Sequence, residues 1–184
     1  METVAESDIR PLRRAEYDAL VGMGLLGEDE PIELLEGQLV AREPEGEPHA
    51  AMQRRLLRLF FDALPATEAE IGAGNPFAAT ETSEPEPDVA LFPPGTYRGS
   101  HPTTATLLIE VAHTSRRRDL VLKARIYAQS GVGEYWVVDL ANDEVVVHRR
   151  PTRTGYTDVT RHREGVLRPL RHPQVGVDLR ALFA

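Results

Sequence analysis

TLLIEVAHTSRRRDLVLKARIYAQSGVGEYWVVDL, residues 106–140, is the stretch on which the fold turns. It opens with TLLIEVA (106–112), a nearly continuous apolar run of the kind a strand carries when it is buried at the centre of a sheet. A basic turn, RRRD (116–119), leads into DLVLKARIYAQSGV (119–132), where Leu120, Leu122, Ile126 and Tyr127 predict the inward face of a helix and Gly131 its C-terminal cap. EYWVVDL (134–140) is a second apolar strand, and Ala141-Asn142-Asp143 folds it back into EVVVHRR (144–150) as a hairpin. One residue breaks the pattern of the first strand. Glu110 is a carboxylate inside an apolar run, and a lone buried carboxylate is costly unless something compensates it.

Upstream, PEPDVALF (85–92) reads as a strand entered through prolines, which place its start at an edge or a strand mouth. HAAMQRRLLRLFFDAL (49–64) aligns Met52, Leu56, Leu59, Phe60 and Ala63 in one stripe and predicts a helix, preceded by the loop REPEGEP (42–48). IELLEGQLVAR (32–42) is a hairpin turning at Glu36-Gly37. DIRPLRRAEYDALVGMG (8–24) predicts a helix over 11–21 with Asp8 as its cap. Short strands are expected at 68–72 and 76–82, and VDLRALF (177–183) ends the chain in weak strand and a turn of helix. No repeat or internal boundary interrupts this order, so residues 1–184 read as a single domain with 1–9 as a flexible tail.

Composition narrows the chemistry. A chain of 184 residues that is 41% hydrophobic can bury a sizeable core, and with no cysteine it has no disulfide, thiolate zinc site or thiol nucleophile. No apolar run approaches the ~18 residues of a membrane span, and the N-terminus lacks the apolar core of a signal peptide, so a cytoplasmic protein without a membrane partner is expected. The net charge of −8 hides a division. Residues 1–110 hold 21 acids and 8 arginines, a net of −13, whereas residues 111–184 hold 8 acids and 13 basic residues, a net of +5. The second part could face phosphates; ordinary surface variation is the alternative. Of the 21 basic residues 20 are arginine, and the exception, Lys123, marks a position where a compact ammonium is wanted.

Gly22-Met23-Gly24-Leu25-Leu26-Gly27 has the dinucleotide-binding spacing but follows a helix and opens into acidic EDEP, so it reads as a connector. The six histidines have no tight ligand spacing for zinc. What remains is Asp88 and Glu110 on two strands, with Lys123 on the helix after the second. A hard divalent cation shared between the two carboxylates would compensate Glu110; a buried salt bridge to an arginine is the alternative. Glu33, in the apolar arm IELL, is odd in the same way, unless it sits on the solvent face of an alternating strand.

The order of these pieces resembles the Uma-two family, a branch of the PD-(D/E)XK nuclease superfamily. The pieces are Glu33 with Glu36-Gly37, His49 at a helix start, Pro87-Asp88, Glu110-Val111, Asp119 with Lys123, and Gly131 through Asp139, and together they cover about residues 10 to 183. The superfamily usually carries its lysine two residues after the second acid, where this chain has Ala112; Lys123 fits a lysine displaced to the next helix.

The resemblance implies a restriction-endonuclease-like α/β fold, a mixed central β-sheet flanked by helices, and a metal-dependent endonuclease acting on nucleic acid, DNA by preference. Asp88 and Glu110, with the Val111 carbonyl, would hold Mg²⁺, for which Mn²⁺ could substitute. Lys123 would orient the attacking water or neutralise developing charge. Glu33 would reach the ion through water or help activate the nucleophile, and His49 would support the site or touch phosphate. Arg116, Arg117, Arg118 and Arg125 would grip flanking phosphates, a solvated basic turn being the alternative. A homodimer cutting two strands follows by analogy. Two other classes share this core: a catalytically silent binding module, and a metal-dependent hydrolase of a smaller phosphoester.

Overall fold

A computed structural model describes residues 8–27, 30–42, 46–95 and 97–184. Seven residues of the expected N-terminal tail, and parts of the EDEP and REPEGEP segments, lie outside the described residues. A six-stranded mixed sheet forms the centre, in the order β3 (Glu70–Gly72), β4 (Val89–Phe92), β5 (Leu107–Ala112), β6 (Glu134–Asp139), β7 (Glu144–Thr152) and β8 (Gly155–His162). Neighbours run antiparallel except β5 and β6, which are parallel. A parallel pair needs a crossover, and here it is helical: a π-helical turn, Arg118–Lys123, continuing into α3 (Ala124–Gln129).

Strand alternation sorts the core into two layers. Val89, Leu91, Leu107, Ile109, Val111, Trp136 and Val138 pack with Met52, Leu56 and Phe60 of α2 (Glu47–Ala63). Ala90, Phe92, Leu108, Ala112, Tyr135 and Val137 pack with Ala124 and Tyr127 of α3. Both faces of β4, β5 and β6 are therefore covered, which is why these strands read as continuous apolar runs.

A hairpin of β1 (Ile32–Leu35) and β2 (Gln38–Ala41) lies apart from the central sheet. Its two-residue turn places Glu36 at φ 49° and Gly37 at φ 80°, the left-handed pair that such a turn demands. A Cβ on Gly37 would meet Pro11 Cβ at 2.3 Å, so glycine is required there sterically as well. The arm is tied to the 82–86 segment: Gly37 N–H donates to Thr82 O at 2.7 Å, Glu84 N–H to Leu34 O at 2.7 Å, and Glu36 N–H to Ser83 Oγ at 2.9 Å. These bonds bring Glu33 beside the entrance to β4.

Several boundaries differ from expectation. The first helix, α1, runs Arg14–Gly22, and Glu16 rather than Asp8 closes its first turn by accepting from Arg13 N–H at 2.9 Å. Residues 76–82 form no strand: Phe77 N–H goes to Pro85 O and Ala78 N–H to Pro102 O, so the backbone bonds scatter between two segments instead of following one ladder. Ala63 faces out and Leu64, just past the helix, is buried in its place. A short pair, β9 (Val166–Leu167) with β10 (Val177–Asp178), precedes α4 (Leu179–Phe183), which Asp178 caps through Arg180 N–H at 2.9 Å.

Candidate active site

Register brings the two acids together. Val89 pairs with Ile109 and Ala90 with Leu108, so Asp88, the residue before β4, lies next to Glu110 at the mouth of the β4–β5 pair. The Val111 N–H donates to Asp88 Oδ2 at 2.6 Å, which holds the Asp88 carboxylate against β5. From α2, His49 Nε2 meets the same oxygen at 3.0 Å, and Gln53, one turn on, donates its amide to Asp88 O at 2.9 Å. His49 and Gln53 are four residues apart on one helix face, so α2 fixes both the side chain and the backbone of Asp88.

Lys123 fills the space between two strands of different sheets. Its Nζ donates to Glu33 Oε1 at 2.8 Å and to Glu110 Oε1 at 2.9 Å, with the residue only 4% exposed. Tyr127, four residues on, donates its hydroxyl to the same Glu110 oxygen at 2.7 Å. Glu33 Oε1 also accepts the Glu86 N–H at 2.7 Å, while Glu33 Oε2 is buried with no hydrogen bond among the described residues. Asp119 is buried on the same helical stretch and takes the Ser115 hydroxyl.

Burial by itself would strip the proton from Lys123, but the negative field of Glu110, Glu33, Asp119 and Asp88 outweighs it and holds the ammonium protonated. Glu110 is pushed well above the usual carboxylate range by burial, against the pull of Lys123, with Asp88, Asp119 and Glu33 adding to the rise. Asp119 is raised for the same first reason, against Lys123 and the Ser115 hydrogen bond. Four carboxylates thus share one buried ammonium, with His49 against Asp88 and Arg118 acting on Asp119.

These groups open into a cleft of about 220 Å³, lined by Glu33, His49, Asp88, Glu110, Val111 and Lys123 together with Arg42, His113, Ser115, Arg118 and Asp119. Arg118 reaches the cleft, donates to Ala41 O at 3.1 Å and keeps a buried Nε without a hydrogen bond. The other arginines of the basic turn are placed differently. Arg116 pairs with Asp139, Arg125 forms a two-pronged pair with Glu36 at 2.8 and 2.7 Å, and Arg117 is exposed. Glu134, inside the EYWVVD strand, is saturated by Trp136, Arg149 and the Leu170 N–H, so it is a structural carboxylate.

Tyr127 and Gln53 were not among the residues singled out for chemistry, and Asp119 entered only as a piece of the family pattern, with no role assigned. The signal for two of them lay in the spacing Asp119-x-x-x-Lys123-x-x-x-Tyr127, which stacks three polar groups on one helical stripe. The apolar residues between them obscured it: Leu120 and Leu122 are only half-buried, while Asp119 and Lys123 point inward. The π-helical turn lies over these residues, and such turns recur at functional sites.

The sequence profile of Uma2, described as "Putative restriction endonuclease", matches residues 14–180. The chain belongs to this family. A solved structure titled as a "putative nuclease belonging to DUF820 from Anabaena variabilis ATCC 29413" superposes with a TM-score of 0.73 at 17% identity, covering 94% of this chain and 98% of that one. It shares the restriction-endonuclease-like fold. Among curated proteins, none matches this chain. No described helix of this Uma2 protein is long and apolar enough to cross a membrane.

Proposed function

We propose that this Uma2 protein is an endonuclease that hydrolyses phosphodiester bonds of nucleic acid, DNA by preference, with Mg²⁺ held by Asp88 and Glu110. One observation carries the reading: two carboxylates from the mouth of adjacent strands share a cleft with a buried, protonated lysine.

The donor set fits a hard cation. The hydrogen bonds from His49 and the Val111 N–H land on Asp88 Oδ2, and those from Lys123 and Tyr127 on Glu110 Oε1, so one oxygen of each carboxylate carries both of these bonds. No three His, Asp or Glu among the described residues form a ready-made cage. That suits Mg²⁺, which keeps several waters and takes one or two carboxylates plus substrate phosphate. Asp88 and Glu110 would hold the ion, with the Val111 carbonyl beside them, and Mn²⁺ would serve in its place. Bound there, the ion supplies charge for the phosphate and an acidified water.

The chain's own groups do the rest. Lys123, kept charged by its neighbours, places an ammonium against the reacting phosphate oxygens. Glu33 orients Lys123 and offers its unpartnered Oε2 to a water. His49 holds Asp88 in place. Arg118, with the exposed Arg117, meets flanking phosphate, whereas Arg116 and Arg125 shape the rim through Asp139 and Glu36. Residues 1–184 act as one domain, and a homodimer would present two such clefts to two strands.

The test is cleavage. Purified protein nicks DNA in Mg²⁺ or Mn²⁺ and not in EDTA, and Asp88→Asn abolishes nicking while its circular dichroism stays that of the wild type. A wild-type protein that binds DNA and the ion yet cuts neither DNA nor RNA would replace this reading with the binding module.

A further inference from the structure

A second cavity, of about 740 Å³, shares no lining residue with the catalytic cleft. Its walls include Arg14, Tyr17 and Asp18 of α1, Glu84 and Glu86 of the segment leading to β4, and Tyr97 from the loop after β4. We propose that this cavity binds a small organic cation, an alkylammonium or guanidinium group, with Glu84 as its buried counter-ion.

Glu84 is 3% exposed, and its Oε2 is buried without a hydrogen bond. Arg14 stands 3.9 Å from that oxygen and His101 3.9 Å from the other, both beyond hydrogen-bond reach. Arg14 spends its Nε on Thr80 O at 3.3 Å, and Glu86 is already paired with Arg42 at 2.6 Å. A buried acceptor left in this state costs about 1–3 kcal/mol, more when it is charged, and a donor-bearing cation removes that cost. The field points the same way. Burial first, then Asp18 and Glu86 against Arg14, lift the Glu84 carboxyl to about 7. The Tyr17 hydroxyl is pushed up to about 12 by burial and by Glu86, Glu84, Glu33 and Asp18.

The same field excludes the obvious alternatives. Gly22 and Gly27, the ends of the connector with dinucleotide spacing, lie on the rim, but a phosphate there would face three carboxylates. A bare divalent ion would find no group of three ligands among the described residues, and the volume is that of an organic ligand. Two aromatic rings complete the case for an organic cation. Tyr17 and Tyr97 line the cavity, and Tyr97 is pinned by Phe92 at 5.7 Å between centroids and by its hydroxyl on Pro93 O at 2.7 Å.

The cation could be a free metabolite or the basic side chain of a peptide, and the experiment separates them. Metal-free protein without nucleic acid is titrated with agmatine and with acetyl-Gly-Arg-Gly-amide, acetyl-Gly-citrulline-Gly-amide serving as the uncharged analogue, while the amide signals of Gly22 and Gly99 are followed by NMR. One or both cations should shift these signals saturably and the blocked citrulline peptide should not. Glu84→Gln should weaken binding by about tenfold or more, as loss of one charged hydrogen bond implies. Asp18→Asn, at the exposed rim, gives a second variant with a smaller loss if Glu84→Gln fails to fold. Absence of saturable shifts with both cations, equal binding of the blocked citrulline peptide, or unchanged affinity in the variants overturns the proposal. Asp88→Asn, which ends cleavage in the nuclease reading, should leave this binding intact.

Discussion

Lys123 Nζ lies 2.8 Å from Glu33 Oε1, joining the β1–β2 hairpin to the helix that follows β5 through one buried ion pair. Its second partner, Glu110 at 2.9 Å, belongs to the central sheet, so one ammonium ties three separate parts of the chain. Removing such a partner leaves buried charge uncompensated and costs about 3–5 kcal/mol. Lys123→Arg keeps the charge but asks a planar fork to fit a slot shaped for an ammonium. That variant should hold DNA affinity within a few fold while cleavage falls by roughly 10²-fold or more. Gel-shift and single-turnover cleavage assays on the same preparation check both halves, and full cleavage would reduce Lys123 to a mere positive charge.

Magnesium should stabilise the fold. Four buried carboxylates face one ammonium, so a divalent ion that binds the native site and not the unfolded chain raises stability by mass action, about 2.7 kcal/mol at a hundredfold excess over its Kd. Thermal unfolding with and without Mg²⁺ should show a higher Tm with the ion, and Asp88→Asn should lose most of that gain. An equal gain in the variant would place the ion elsewhere.

The acids were legible in the sequence because the strands around them are so apolar. Glu110 interrupts TLLIEVA, and Asp88 sits where prolines admit PDVALF to the sheet; the pairing of the two strands then brings both to one cleft. The lysine was legible by its isolation among arginines. The phosphate grip was not, because a run of arginines gives no sign of which will find a carboxylate: Arg116 meets Asp139 from β6, and Arg125 meets Glu36 from a hairpin 89 residues away. Tyr127 was read as core, and its ring is indeed buried between Phe77 and Tyr135. Only the position of Glu110 reveals that its hydroxyl has a use.

Tyr127→Phe isolates that use. The phenyl ring keeps the contacts at 6.1 Å to Phe77 and 4.9 Å to Tyr135 between centroids, and a single donor to Glu110 is lost. A hydrogen bond to a charged group contributes about 1.5–3 kcal/mol, so urea unfolding should show a loss within that range. Cleavage should fall by about tenfold, because Glu110 then keeps only the Lys123 hydrogen bond among the described residues and is less firmly oriented. Unchanged kcat with unchanged stability would leave the hydroxyl without a function.

His148 gives the protein an acid-side limit that does not involve the cleft. It is buried in β7, 5.2 Å from Tyr135 and 5.7 Å from Tyr156 between ring centroids, and burial, with Arg161 adding to it, lowers its imidazole to about 4 against backbone hydrogen bonds that act the other way. The unfolded chain protonates this histidine near pH 6.5 while the folded one stays neutral down to about pH 4. The contribution is therefore fully present above pH 6.5 and is lost as pH falls through that window, by about 3 kcal/mol in all. Buried carboxylates also change stability with pH, so the comparison must be between proteins differing at this position alone. His148→Phe fills the same stack without a titrating group. Urea unfolding at pH 7.5, 6.0 and 5.0 should show the wild type losing stability relative to the variant as pH falls, and parallel curves would show that the imidazole is free to protonate in the folded state.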